Sequence, residues 1–321
     1  MKTLIKSLYQ KTNLGFYFIQ PFTKVYHFWL YKKFLKRETF IKHQFKKSFG
    51  SSLNIEDPKT LNEKINWLKL YYKHPLATQL ADKFAVREFI INKIGEEYLV
   101  PLLYKTKNYR DIIPSNLPDI PFIIKTNHDS SGGIIIHNKN ENHNWKQIQN
   151  TLRSRMSQNF YWDGRERQYK EIEPILIVEK LLTDIKGTLP ADYKVHCFNG
   201  KVRMINVDMG RNTKNHYRNW YNRQWIREPY SWSSVLGDGK HTDPSDLDIE
   251  KPELLDRMCE LSEKLVKGFP YLRADWYIYN NQLFFGELTF HHNGGMRPIQ
   301  PEIWDEKLGK ELSLPNNYLT Q

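Results

Sequence analysis

Cysteine is almost absent from this 321-residue chain: Cys197 and Cys259 stand alone, far apart and in no C-x-x-C spacing. That excludes a disulfide framework and a cysteine-based zinc site, and it fits a protein kept in a reducing compartment. No run of eighteen apolar residues occurs, so the sequence predicts no transmembrane helix. The first residues lack the small-residue cleavage site of a secretory signal. Neither a G-x-S-x-G nucleophile elbow nor a Gly-rich Lys-Ser/Thr phosphate loop is present. Internal repeats and low-complexity tracts are missing too. What remains is an aromatic-rich, globular composition, long enough for one large domain or two to three lobes.

Acid is scarce in one region. Residues 1–50 carry eleven Lys and Arg against Glu38 alone, which accounts for ten of the chain's twelve net positive charges. Among them lie Phe16, Tyr17, Phe18, Phe22, Tyr26, Phe28, Trp29, Tyr31 and Phe34. Three readings stay open for this segment: an anionic membrane surface or acidic glycan, aromatics packed under the body with lysines in solvent, or nucleic acid. Nucleic acid is the weakest of the three, because surface charge alone is non-specific.

Periodicity organises the rest. Thr60-Leu61-Asn62-Glu63 is a capping box ahead of Leu61, Ile65, Leu68 and Tyr72 at helical spacing. Asp82 can cap a second helix, with Val86, Phe89, Ile90 and Ile94 turned inward and Gly95 closing it. Strands are predicted at Glu97–Tyr104, Pro121–Lys125, Ile175–Leu181, Asp192–Phe198 and, after the Asn199-Gly200 turn, Lys201–Met209. The polar, tryptophan-rich stretch 211–252 reads as loops. A helix closed by Gly268 leads into a last hairpin, residues 272–290.

That hairpin holds Arg273, Asp275 and Glu287 in otherwise apolar and aromatic strands. A three-residue loop, Asn280 to Gln282, would pair Tyr279 with Leu283 and set Asp275 opposite Glu287; a two-residue loop would put the acids on opposite faces. Two facing carboxylates suit a hard divalent cation, and a salt bridge from Arg273 to either acid is the equal alternative. Upstream, Lys125 ends one apolar strand, Glu179 ends another, and Lys194 lies inside a third. Between the first two sits Ser130-Ser131-Gly132-Gly133, a small-residue turn whose backbone N–H groups can approach an anion. His291-His292 lacks a third ligand at zinc spacing and reads as structural or substrate-side. Asp246-Leu247-Asp248 reads as a solvated loop.

In this order the residues resemble the ATP-grasp superfamily, and within it the TupA-like branch linked to teichuronopeptide and other bacterial surface polysaccharides. The resemblance runs from about Pro58 to Leu312, through "KTLNEKINWLKL", "ADKFAVREFI", "PFIIKTNHDSSGG", "ILIVEKLL", "ADYKVHCFNGK" and "LRADWY…FFGELTF…GG". It implies an α+β ATP-grasp fold, two lobes each with an antiparallel sheet and ATP clamped between them. The implied domains are a basic aromatic extension (1–55), a helical and strand region (56–120), a small lobe (121–180) and a C-terminal lobe with the metal site (181–321).

The resemblance further implies that Lys83 and Lys125 bind ATP phosphates, with Ser130, Ser131, Gly132 and Gly133 as the phosphate loop. Glu179 with the Lys180 and Leu181 backbone would hold adenine, and Asp192 and Lys194 would lie near ribose and phosphates. Asp275 and Glu287 would hold Mg²⁺. Many members place Asn two residues after the metal Glu. This chain has Thr289 there, with Asn293 nearby, so the third ligand is open. Arg273 and Lys194 would neutralise developing charge, and Arg297 would hold the acceptor carboxylate or oxyanion.

The implied reaction is amide formation through an acyl phosphate. It would join a uronic acid of a capsule, O-antigen or lipid- or nucleotide-linked precursor to an amino acid or other amine, in the cytoplasm or at the inner membrane face. A glycosyltransferase of the same pathways and a non-catalytic polyanion-binding protein are the competing classes.

Overall fold

The computed structural model describes residues 2–33, 36–130, 132–184, 186–210, 213, 216–235 and 239–315. In its first half the elements are α1 (Lys2–Lys11), α2 (Asn13–Lys33), α3 (Arg37–Phe49), α4 (Leu61–Tyr71), α5 (Ala77–Ala81), α6 (Val86–Lys93), β1 (Leu102–Thr106), β2 (Phe122–Thr126), β3 (Ile134–Ile136) and α7 (Trp145–Met156). The second half holds α8 (Tyr161–Gly164), β4 (Leu176–Lys180), β5 (Asp192–Phe198), β6 (Lys201–Met209), β7 (Tyr217–Asn222), α9 (Leu255–Val266), β8 (Tyr271–Tyr279), β9 (Gln282–Thr289) and α10 (Ile303–Glu311). The chain folds as two units: Met1–Thr39 with Leu76–Val86 and Val100–Leu181, and Phe40–Pro75 with Arg87–Leu99 and Leu182–Gln321. Residues 1–55 and 56–120 are therefore each shared between the units.

The first unit is built on a four-stranded antiparallel sheet in the order β1-β4-β2-β3. Strand alternation sends Phe122, Ile124, Leu176 and Val178 to one face, where they form a core with Ile112, Leu117, Ile136 and Leu152 of α7. Ile123, Lys125, Ile177 and Glu179 occupy the other face. The sequence predicts a strand over Glu97–Tyr104; instead Glu96–Tyr98 is a 3₁₀ turn and β1 begins at Leu102, after Pro101. Pro101 has no N–H for a ladder and stands at the boundary, where proline is tolerated.

The second unit carries a five-stranded antiparallel sheet, β7-β6-β5-β8-β9. Helix α9 covers one face with Leu255, Met258, Cys259, Leu261, Leu265 and Val266, all buried. Trp276 on β8 donates through Nε1 to Ser262 Oγ of that helix at 2.9 Å. Strand β7 lies inside the stretch the sequence assigns to loops. Its residues Arg218 to Tyr221 are all buried, so it shows no polar-apolar alternation, and its polar groups bond to Asp208, Ser245 and Leu247.

Helix α4 starts as predicted. Thr60 Oγ1 accepts from the Glu63 N–H at 3.1 Å, and Glu63 Oε2 accepts from the Thr60 N–H at 3.0 Å. A second cap arrives from far along the chain: buried Asp305, on α10, accepts from the Asn62 N–H at 2.9 Å and from Asn62 Nδ2 at 2.8 Å. Helix α10 lies so close that a Cβ on Gly309 would fall 2.1 Å from the Lys59 carbonyl oxygen. Burial pushes the Asp305 carboxyl up from 3.8 to about 6, against the pull of the Asn62 hydrogen bonds.

Asp305→Ala should cost roughly 1–3 kcal/mol in chemical denaturation, because it strands the buried Asn62 donors. The native state holds the Asp305 proton between about pH 4 and 6 while the unfolded chain releases it, so this group's contribution falls as pH rises through that window. The wild type should show that slope and the alanine variant should lack it. Equal slopes in both proteins would remove Asp305 as its source.

Candidate active site

In the first unit, Ile123 pairs with Glu179 and Lys125 with Ile177, so Lys125 and Glu179 stand diagonally on one sheet face. Lys125 Nζ lies 2.8 Å from Glu179 Oε2, with the carboxylate side chain 9% exposed. Lys83 reaches the same segment by a different route. Its N–H donates to the Asn127 carbonyl at 2.9 Å and its Nζ to the Asp129 carbonyl at 2.6 Å. Asp82 fixes that placement: Oδ1 accepts from the Phe84 N–H at 2.8 Å and Oδ2 from Asn127 Nδ2 at 2.9 Å. Asn127 Oδ1 in turn accepts from the Ile175 N–H at 2.8 Å, just ahead of β4.

The glycine turn after Asp129 needs both of its glycines. Gly132 has φ +76°, and a Cβ on Gly133 would lie 2.2 Å from Ile123 Cγ1. Arg155 Nη1 donates to the Gly132 carbonyl at 2.8 Å, and Ser130 is exposed. Ser131 lies outside the described residues. The Lys180 N–H donates to the Pro101 carbonyl and the Leu181 N–H to the Pro121 carbonyl, each at 3.0 Å.

The second unit concentrates its charge on the sheet face opposite α9. On the central strand β5, Lys194 pairs with Asp275 of β8 on one side and with Asn206 of β6 on the other. Its ammonium meets three carboxylates: Asp192 in very close contact, Asp275 Oδ2 at 3.2 Å and Asp208 Oδ2 at 3.6 Å. Each flanking acid has its own guanidinium. Arg218 binds Asp208 at 2.6 and 3.0 Å, and Arg273 binds both oxygens of Asp275 at 2.6 Å. Arg273 also reaches Glu287 Oε1 at 3.3 Å and donates to His292 Nδ1 at 2.6 Å. His196 bridges Tyr271 and Asn206, both at 2.9 Å.

The last hairpin differs from the predicted register. Its loop is two residues, Asn280 and Asn281, both with φ near +50°, and Tyr279 pairs with Gln282. A bulge between Ala274 and Trp276 then shifts the pairing, so that Arg273 faces Thr289. One extra residue on β9 reverses the side-chain parity, and Glu287 and Thr289 return to the Arg273 side. Asp275 and Glu287 thus share a face although the loop is short, and Arg273 engages both. Thr289 Oγ1 donates to Glu287 Oε1 at 3.3 Å. Asn293 is tied elsewhere, accepting from Ser234 Oγ at 2.7 Å and contacting His292 Nε2 at 3.1 Å. The Arg297 side chain is exposed, and its carbonyl accepts from Trp232 Nε1 at 2.8 Å.

Electrostatics follow from burial and these partners. Burial disfavours the Lys194 charge, but Asp192, Asp275 and Asp208 outweigh it and raise its pKa. Burial would likewise raise Asp208, yet Arg218, His216 and Lys194 hold it well below the ordinary carboxylate range. His196 and His292 are kept neutral, chiefly by burial and further by the Arg273 charge. The oxygen-only donors Asp275, Glu287 and Thr289 suit Mg²⁺, which binds through one or two carboxylates plus phosphate oxygens. Among the described residues no three His, Cys, Asp or Glu form a metal cluster by themselves.

Two members of this face, Asp208 and Arg218, go unassigned from the sequence, and His292, which reads there as structural or substrate-side, accepts from Arg273. Asp208 carried the same signal as Asp275, a lone acid in the apolar run Lys201–Met209. Arg218 carried none, because its strand is not periodic. Arg218→Met should cost roughly 3–5 kcal/mol by leaving Asp208 buried with only longer contacts, and adding Asp208→Asn should recover part of that loss. Additive losses in denaturant titrations would show that the pair is not coupled.

The chain matches the TupA-like ATP-grasp family over residues 63–313. No curated protein matches it. Among solved structures it is similar to the D-alanine–D-alanine ligase of Bacillus anthracis, at 16% identity and TM-score 0.37, covering 71% of this chain and 64% of that one. The D-alanine–D-alanine ligase of Helicobacter pylori aligns at 13% identity and TM-score 0.40, covering 80% and 67%. For the L-amino acid ligase of Bacillus licheniformis the values are 11%, 0.38, 82% and 55%. The chain therefore spans less than two thirds of the first and third of these proteins, and all three likenesses are distant.

Proposed function

We propose, from the premise that this chain belongs to the TupA-like ATP-grasp family, that it is an ATP-dependent carboxylate–amine ligase. Its acceptor is a uronic acid of a bacterial surface polysaccharide or of a lipid- or nucleotide-linked precursor at the cytoplasmic face of the membrane. The amine is an amino acid or amino sugar. The observation that most supports ligase chemistry is the buried charged face of the second unit, where Lys194 and Arg273 alternate with Asp192, Asp208, Asp275 and Glu287.

The chemistry requires such a face. A carboxylate is a poor electrophile, and its oxygen must approach the γ-phosphorus of ATP against strong anionic repulsion. In this reading Lys83 and Lys125 neutralise phosphates, the glycine turn at Gly132 and Gly133 lets backbone approach them, and Glu179, Lys180 and Leu181 border adenine. Asp192 and Lys194 attend ribose and phosphates. Mg²⁺, held by Asp275 and Glu287 with Thr289 or Asn293 as a further ligand, would neutralise phosphate oxygens. The acceptor oxygen bonds to phosphorus as ADP leaves, giving an acyl phosphate. The amine nitrogen then attacks the carbonyl carbon, phosphate departs, and the nitrogen loses a proton to complete the amide. In this reading Arg273 neutralises the charge that develops, and Arg297, which is exposed, binds the acceptor carboxylate or the tetrahedral oxyanion.

The deciding experiment is release of ADP and phosphate against a panel of uronic acids and amino acids, with amide formation followed by mass. ADP that appears only with both substrates supports the proposal; transfer from a UDP-sugar without ATP would overturn it. Glu287→Gln should abolish turnover with a small change in melting temperature, because that side chain is 34% exposed and its Arg273 contact is long. Lys125→Ala should weaken ATP binding by about tenfold or more, the scale of one charge-assisted hydrogen bond. Unchanged affinity in calorimetry would remove Lys125 from the site.

A further inference from the structure

Helix α2 has two faces that its sequence alone does not separate. The inner one is built into the first unit. Buried Phe16 stacks on Tyr9 at 5.2 Å between ring centroids, and the Arg153 guanidinium of α7 lies 4.1 Å from the Phe16 ring centre. Arg153 Nη1 donates to Asn13 Oδ1 at 2.6 Å and Asn150 Nδ2 to the Lys11 carbonyl at 3.1 Å, so the α1–α2 turn is fastened to α7. Further along, His27 and Tyr31 meet Trp162 at 5.7 and 6.1 Å.

The outer face is apolar and open. Leu14 is 86% exposed, Phe18 70%, Phe22 62% and Val25 63%. Their spacing of four, four and three residues places them in one row along the helix. Residues 1–37 contain eight Lys and Arg and no acid. We infer that this row is an interfacial docking surface for an anionic lipid bilayer: α2 lies flat, Leu14, Phe18, Phe22 and Val25 enter the acyl boundary, and the segment's excess of cations draws it to the headgroups. A second copy of the chain is the poorer occupant, since pairing two such faces would oppose two sets of cations with no acid among them to compensate. No described helix is long and apolar enough to cross a membrane, which agrees with a helix lying in the interface rather than spanning it. The inference does not depend on the ligase reading.

The full chain should co-sediment with phosphatidylcholine–phosphatidylglycerol vesicles at low salt, bind pure phosphatidylcholine weakly, and release as salt rises. A Phe18→Ser, Phe22→Ser, Val25→Ser variant keeps every charge and should keep its melting temperature, because all three side chains are exposed. It should nevertheless lose vesicle partitioning by about tenfold or more. Lys24→Glu with Lys36→Glu should weaken binding to the anionic vesicles only. Unchanged partitioning of the serine variant would overturn the inference in favour of adsorption by charge alone. A dimer in solution that the serine variant abolishes, with no vesicle binding by the wild type, would overturn it in favour of self-association. Either failure leaves ADP release by the soluble protein, the test of the ligase reading, untouched.

Discussion

The Lys194 ammonium, buried among Asp192, Asp208 and Asp275, is the constraint around which the second unit is arranged. An ion of this size taken out of water costs several kcal/mol unless partners of opposite sign replace the solvent. Three carboxylates around one ammonium over-compensate it, and two guanidinium groups meet the excess. Arg218 on β7 takes Asp208 and Arg273 on β8 takes Asp275. The strand order β7-β6-β5-β8-β9 puts the lysine at the centre of this alternation. The opposite face, packed under α9, is apolar and makes no demand on it. A charged face and an apolar face can coexist in one sheet because side chains alternate along every strand.

The first unit applies the same rule on a smaller scale. Phe122 and Ile124 turn into the core, and Lys125 and Glu179 meet on the other side of the same strands. Lys83 is held by the Asn127 and Asp129 carbonyls, and the chain around it is fixed by Asp82 and Asn127. These contacts hold two lysines and an acid in fixed positions within the first unit. Glu287 differs from the buried acids. Its partial exposure and long contact to Arg273 leave it the easiest member of the charged face to exchange partners.

Residues 1–37 obey a different constraint. They add cations without acids of their own, and only Tyr9 and Phe16 among their described side chains are buried. From composition, packing and surface binding are alternatives for the whole segment. The helix satisfies packing on one face and leaves the other to solvent, which a composition count has no means of distinguishing. Phe34, one of the aromatics in that count, lies outside the described residues.

Local signals in the sequence determined most of the elements. The capping box at Thr60, the Asn199-Gly200 turn, and the apolar runs ending in Lys125 and Glu179 each encode a nearest-neighbour preference that tertiary context did not override. The same lone charges in apolar strands singled out Lys194, Asp275 and Glu287, which the folded sheet gathers on one face. Tertiary structure decided which charge meets which. The bulge beside Asp275 restored a face that loop length alone would have reversed, and β7 formed from a segment without periodicity because both of its faces are covered. It also decided that Asp305 caps a helix more than two hundred residues earlier. Each of these depends on which strand or helix lies alongside, a long-range pairing whose free energy is shared between distant residues and therefore leaves no local pattern in either one.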